Sequence, residues 1–126
     1  MIQRLSFWIM MIVCSVMVSG QEYDGYYTNP ILPSGADPWV VKHEGWYYYC
    51  CGVLGGIGVS RSRDLHKINP PVRVWKAPEK GQWNSTCIWA PELHFWKGKW
   101  YIFYAGGYSG PPFIHQKTGV LESVTS

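Results

Sequence analysis

The sequence predicts an all-β fold built from propeller-type blades, and three observations predict it. Aromatic residues make up 17% of the chain and sit with β-branched residues in short runs, the composition of half-buried strands. No stretch after the first twenty residues carries a useful helical period. A hairpin pattern recurs, with Trp46 and Trp100 opening matching aromatic runs 54 residues apart (100 − 46), and about four strands at that period mark a propeller blade.

Met1 to Gly20 precede the repeat. Met-Ile-Gln-Arg, the apolar run Leu5 to Val18 and then Ser19-Gly20-Gln21 fit the charged, apolar and small-residue parts of a secretory signal peptide. The run is shorter than the roughly 20 apolar residues of a membrane span, so no stable membrane insertion is expected. Residues 1–20 are therefore predicted to be a signal peptide, and a secreted or periplasmic location follows. Residues 21–126 form one small domain, with no linker long enough to divide it.

Each strand then has a local reason. Gly-Ala-Asp-Pro at 35–38 is turn chemistry, since Asp hydrogen-bonds its own backbone and Pro38 fixes φ at the entry to an extended segment. Trp39 to Lys42, a turn at His43-Glu44-Gly45, and Trp46 to Cys50 read as a hairpin. Ile57 to Ser60 supplies a third strand and Val72 to Trp75 a fourth, with a polar turn over Arg61 to Leu65 between them. Leu93 to Trp96, a turn at Lys97-Gly98-Lys99, and Trp100 to Tyr104 repeat the hairpin, and Lys117 to Leu121 echoes the third strand. On the 54-residue register Ala36-Asp37-Pro38 aligns with Ala90-Pro91-Glu92, so Glu92 falls close to the place of Asp37. Two blades cannot close a ring, because propellers close with about four to eight, and the chain reads as the N-terminal part of a longer protein.

Charge and cysteine usage narrow the function. A net charge of +3 with scattered Lys and Arg gives no basic stripe for nucleic acid. Aromatic rings in a secreted protein offer flat faces to sugars. Beyond the leader stand Cys50, Cys51 and Cys87. They are read as buried or half-buried thiols, with a disulfide from Cys87 to one of the other two as the alternative. No spacing of His and Cys fixes a metal. Asn84-Ser85-Thr86 is an N-glycosylation sequon, which matters in a eukaryotic host.

Two segments carry a family resemblance. Asn29-Pro30-Ile31-Leu32-Pro33-Ser34-Gly35-Ala36-Asp37-Pro38-Trp39 with Gly45-Trp46-Tyr47-Tyr48-Tyr49 resembles the first blade of the family 43 glycoside hydrolases. Trp89-Ala90-Pro91-Glu92-Leu93-His94 with Gly98-Lys99-Trp100-Tyr101 resembles the opening of their second blade. The resemblance covers residues 28 to 122 and implies a five-bladed propeller acting on arabinan- or arabinoxylan-type carbohydrate. It puts the general base on Asp37. An inverting glycosidase needs such a carboxylate to deprotonate water while an acid protonates the leaving oxygen from the other face, the two roughly 6.5–9.5 Å apart.

The resemblance further places Trp89 beside the sugar, with Glu92 and His94 as candidates to bind its hydroxyls. For Trp89 the alternative is packing between blades. The acid Glu and its pKa-tuning Asp belong to later blades in the family, as does the residue near the calcium ion that some members hold, so no cofactor is placed in this chain. Glu122 reads as a strand or surface residue. A chain with the base alone is expected to be inactive, because leaving-group protonation is worth about 10²–10⁴-fold. A non-catalytic sugar-binding propeller or truncated relic is the alternative. A fructan-cleaving enzyme is less well matched, since Gly-Ala-Asp-Pro-Trp replaces the Asn-Asp-Pro-Asn-Gly opening of that group.

Overall fold

A computed structural model describes residues 30–124. The predicted signal peptide lies outside them. Seven strands form two antiparallel sheets: β1 (Trp39–His43), β2 (Trp46–Val53), β3 (Gly56–Ser62) and β4 (Val72–Lys76) in the first, and β5 (Thr86–Trp96), β6 (Lys99–Gly107) and β7 (Lys117–Glu122) in the second. Each sheet is a meander in chain order. The predicted strands all form, with β3 running on through Arg61 and Ser62 and β5 beginning seven residues before Leu93.

Both hairpins turn through two residues with positive φ, Glu44 (47°) and Gly45 (76°) in one, Lys97 (47°) and Gly98 (79°) in the other. Positive φ at both central positions matches the right-handed twist of the strands, and glycine takes the second position without a Cβ penalty. These turns correct the repeat. His43 pairs with Trp46 and Trp96 with Lys99, so equivalent residues are 53 apart (97 − 44) rather than 54. Trp46 therefore corresponds to Lys99, and Trp100 to Tyr47. A one-residue shift moves every side chain to the opposite face.

On the true register the packing is regular. Trp39, Val41 and His43 of the first sheet face the second, while Val40 and Lys42 between them are exposed. Their equivalents alternate the same way: Leu93, at the place of Val40, is buried against the first sheet, and Glu92, His94 and Trp96 lie on the opposite face of β5. Each blade thus holds its successor with the same face.

The core lies between the sheets and contains Cys50, Ile57, Leu93, Ile102 and Tyr104, with Trp39, Tyr48, Trp75 and Trp100 packed against it. His43 fits between Phe95, at 4.0 Å between ring centroids, and Trp100, at 5.2 Å. Trp39 Nε1 donates to the carbonyl of Leu93 at 2.8 Å, tying the first strand of one blade to the first of the next. Tyr104 stacks with Trp83 and packs on Trp75. Gly119 lies under its ring so closely that a Cβ would come within 2.4 Å of a ring carbon.

Cys50, Cys51 and Cys87 are all free thiols, which settles the open pairing in favour of unbridged cysteines. Burial pushes the Cys50 thiol up to about 12. The sequon asparagine is engaged in the fold, with Asn84 Nδ2 donating to the Tyr104 hydroxyl at 2.7 Å.

Candidate active site

The entrances to β1 and β5 share a backbone feature. Asp37 (φ 49°) precedes Pro38, and Ala90 (φ 45°) precedes Pro91, so both stand in the left-handed region immediately before a proline. Residues before proline avoid the helical region, and a non-glycine at positive φ costs energy that the surrounding fold must offset. Ala90 is thus the structural counterpart of Asp37. The expected parallel between Glu92 and Asp37 fails by this register, because Glu92 occupies the place of Trp39.

The side chains follow from that backbone. Asp37 is exposed, and among the described residues its carboxylate has no hydrogen-bond or ion-pair partner. It is free to meet a ligand or water. Two residues on, Trp39 packs its ring on His94 at 5.1 Å between centroids. His94 in turn meets Phe103 edge-on and brings Nε2 within 3.4 Å of Glu92 Oε2. Trp39, His94 and Glu92 therefore form one continuous run across the blade boundary, with Asp37 at its head in the chain.

Trp89 is 39% exposed and belongs to a second group. Its ring meets Phe113 at 4.7 Å and 71°, a T-shaped contact. Phe113 comes from the loop between β6 and β7, which opens at the same end of the sheet as Trp89. Gln116 Nε2 donates to the Cys87 carbonyl at 3.1 Å, and the Cys87 thiol to the Ser109 carbonyl at 3.5 Å. The structure thus brings Glu92 together with His94 and pairs Trp89 with a residue sequence reasoning passed over. Trp39 reads from the sequence as a strand residue, and Phe113 lies between the predicted strands with no motif of its own.

Glu122 closes β7 and pairs with Lys99, whose ammonium group holds its carboxyl below the ordinary value. This agrees with a surface role. Among the described residues no three His, Cys, Asp or Glu side chains come together to hold a metal ion.

The profile of the glycosyl hydrolases family 43 matches residues 27–125. The chain belongs to this family. Its two sheets are blades of the family's five-bladed β-propeller, of which it covers part. It is 37% identical over 103 residues to "Alpha-L-arabinofuranosidase 43" of Humicola insolens, covering 78% of this chain and 21% of that protein. It is 36% identical over 86 residues to the "Extracellular exo-alpha-(1->5)-L-arabinofuranosidase" of Streptomyces avermitilis, covering 64% of this chain and 18% of that one. Among solved structures, an alpha-L-arabinofuranosidase from Lactobacillus brevis superposes with a TM-score of 0.69 at 31% identity, over 79% of this chain and 34% of that one. The family 43 chain thus spans about a fifth of these curated relatives and a third of that structure.

Proposed function

We propose that this chain is the base-bearing part of a secreted family 43 glycosidase that cleaves α-L-arabinofuranosyl or β-D-xylosyl linkages in plant polysaccharides with inversion. The observation that carries the reading is Asp37, an exposed carboxylate without a partner among the described residues, held in a strained turn immediately before β1. In this mechanism Asp37 accepts a proton from the water that attacks the anomeric carbon. The acid that protonates the leaving oxygen comes from a later blade. Glu92 and His94 bind hydroxyl groups of the sugar, and Trp89 offers its ring to the C–H face. The relatives named for arabinofuranosidase activity support arabinose as the sugar. Residues 1–20 serve as the export signal and 21–126 as the start of the propeller.

One observation favours a narrower role for the chain alone. Glu92, the other carboxylate near the site, is turned toward His94 on the onward face of the second blade, at the place of Trp39 rather than of Asp37. Residues 30–124 then bind sugar without completing an acid–base pair. The test is hydrolysis of a nitrophenyl α-L-arabinofuranoside by the 126-residue chain and by the chain extended through three further blades. Turnover is expected only from the extended protein, with the inverted anomer appearing first by NMR. Turnover by the 126 residues themselves, or retention of configuration, would contradict this proposal.

A further inference from the structure

We infer that Trp46, Arg61 and Arg63 form a second binding site, at the end of the first sheet away from Asp37, which takes the carboxylate groups of an acidic polysaccharide. The inference goes beyond the glycosidase reading and rests on it only for the choice of a polysaccharide as partner.

Strand register gathers the three residues. Arg61 and Arg63 alternate with Ser62, so both side chains leave the chain on one face. Tyr47 pairs with Ser62, which makes Trp46 and Arg63 the next residues along the two strands. The guanidinium carbon of Arg63 lies 4.3 Å from the centroid of the Trp46 ring, and that of Arg61 lies 4.8 Å from it. A Cβ on Gly45 would stand 3.4 Å from Arg63 Nη1, so this guanidinium also rests on the β1–β2 turn. Two like charges repel at such a spacing, and the negative face of the ring offsets part of that cost.

No acid in the described fold neutralises these two charges. Both arginines are exposed, and among the described residues neither has a carboxylate partner. The nearby acids are engaged elsewhere: Glu44 lies against His43 at 3.8 Å, and Asp64 meets His66 at 3.3 Å and Lys67 at 3.7 Å. Lys97 adds a third cation beside the other hairpin turn, 4.3 Å over the Trp96 ring. The contact of His43 with Phe95 puts both turns at the same end of the molecule. Cations that are scattered along the chain are thus gathered by the fold.

The chemistry of the cluster selects the partner. A guanidinium stacked on a ring keeps its N–H edge free, and that edge fits a carboxylate through two parallel hydrogen bonds. Two such groups side by side suit a polymer that repeats a carboxylate on its sugar rings, a polyuronate. A nucleic acid also repeats an anion, but three cations do not make the long basic track that a phosphate backbone calls for. The turn at Glu44 lies seven residues of extended chain from Asp37, about 20 Å. Polymer held there leaves the catalytic opening clear.

The test is electrophoresis of the 126-residue chain through gels containing polygalacturonate, its methyl-esterified form or single-stranded DNA. Polygalacturonate is expected to retard the wild type at low salt, and esterification or about 0.3 M salt to remove the effect. Arg61→Gln combined with Arg63→Gln is expected to weaken binding about five- to thirtyfold, the size of two exposed ion pairs. Arg61→Lys combined with Arg63→Lys, which keeps the charge without the fork, is expected to recover only part of it. A wild type that polygalacturonate does not retard overturns the inference, as does equal retardation of the glutamine variant or equal retardation by DNA. The glycosidase reading stands in each case, because hydrolysis of the nitrophenyl substrate tests it separately.

Discussion

The two hairpins share one backbone register, and their acids stand two positions apart on it. In the first blade the residue before the proline is Asp37, exposed and without a partner among the described residues; in the second it is Ala90. In the first blade the residue after the proline is Trp39, which donates its indole N–H to the next blade; in the second it is Glu92, turned toward His94 on the onward face. The same backbone thus carries its carboxylate before the proline in one blade and after it in the other. Two acids near equivalent motifs need not be partners in chemistry.

The sharpest way to break this comparison is to truncate equivalent positions. Leu93→Ala should cost about 2–4 kcal/mol, because it opens a cavity between the sheets. Val40→Ala, at the matching position of the first blade, should cost less than about 1 kcal/mol because its side chain is largely exposed. Urea titrations of both variants check this, and similar losses would show that the two positions are buried alike.

The glycine under Tyr104 tests how tightly the seam is packed. Gly119→Ala should destabilise by about 1–3 kcal/mol through overpacking, since Tyr104 is held by Trp75, Trp83 and Asn84 and cannot withdraw. A thermal midpoint unchanged from wild type would show that the ring can move. Trp39→Phe removes the indole donor while keeping a ring on His94, and should cost about 1 kcal/mol in the same titration.

Alkaline pH probes the core from the first blade's side. Cys50 keeps its proton in the folded chain until about pH 12, whereas the unfolded thiol releases it from the ordinary value of 9.0. The unfolded state binds fewer protons across that window, so stability is complete below it and falls as pH rises. Burial raises Cys51 and Tyr49 in the same direction. The drop in urea midpoint between pH 7 and pH 10 should shrink in Cys50→Ala. The smallest effect is expected at the strained turns: Ala90→Gly should stabilise by about 0.5 kcal/mol, because relief at φ 45° outweighs the entropy that glycine adds to the unfolded chain.

Much of this fold was legible because local chemistry agreed with it. Aromatic and β-branched runs, Gly45 and Gly98 in their turns, and the proline before each opening strand named all seven strands and the blade repeat. The register was misread because Trp46 and Trp100 look alike, while the face of a strand is decided by its turn. Phe113 and the Trp39–His94 contact were invisible for another reason: each joins segments far apart in the chain, and neither leaves a local pattern. Asp37 was found through the family motif, since its turn chemistry alone reads as an ordinary loop.

The most direct test of the account is turnover by the extended protein carrying Asp37→Asn or Glu92→Gln. Asp37→Asn is predicted to lower kcat by about 10²–10⁴-fold, the range of a lost general base, with oligosaccharide affinity retained. Glu92→Gln is predicted to act mainly on KM. Loss of kcat of the same size in both variants, with the same change in pH profile, would make Glu92 part of the acid–base chemistry and contradict the separation drawn between the two hairpins.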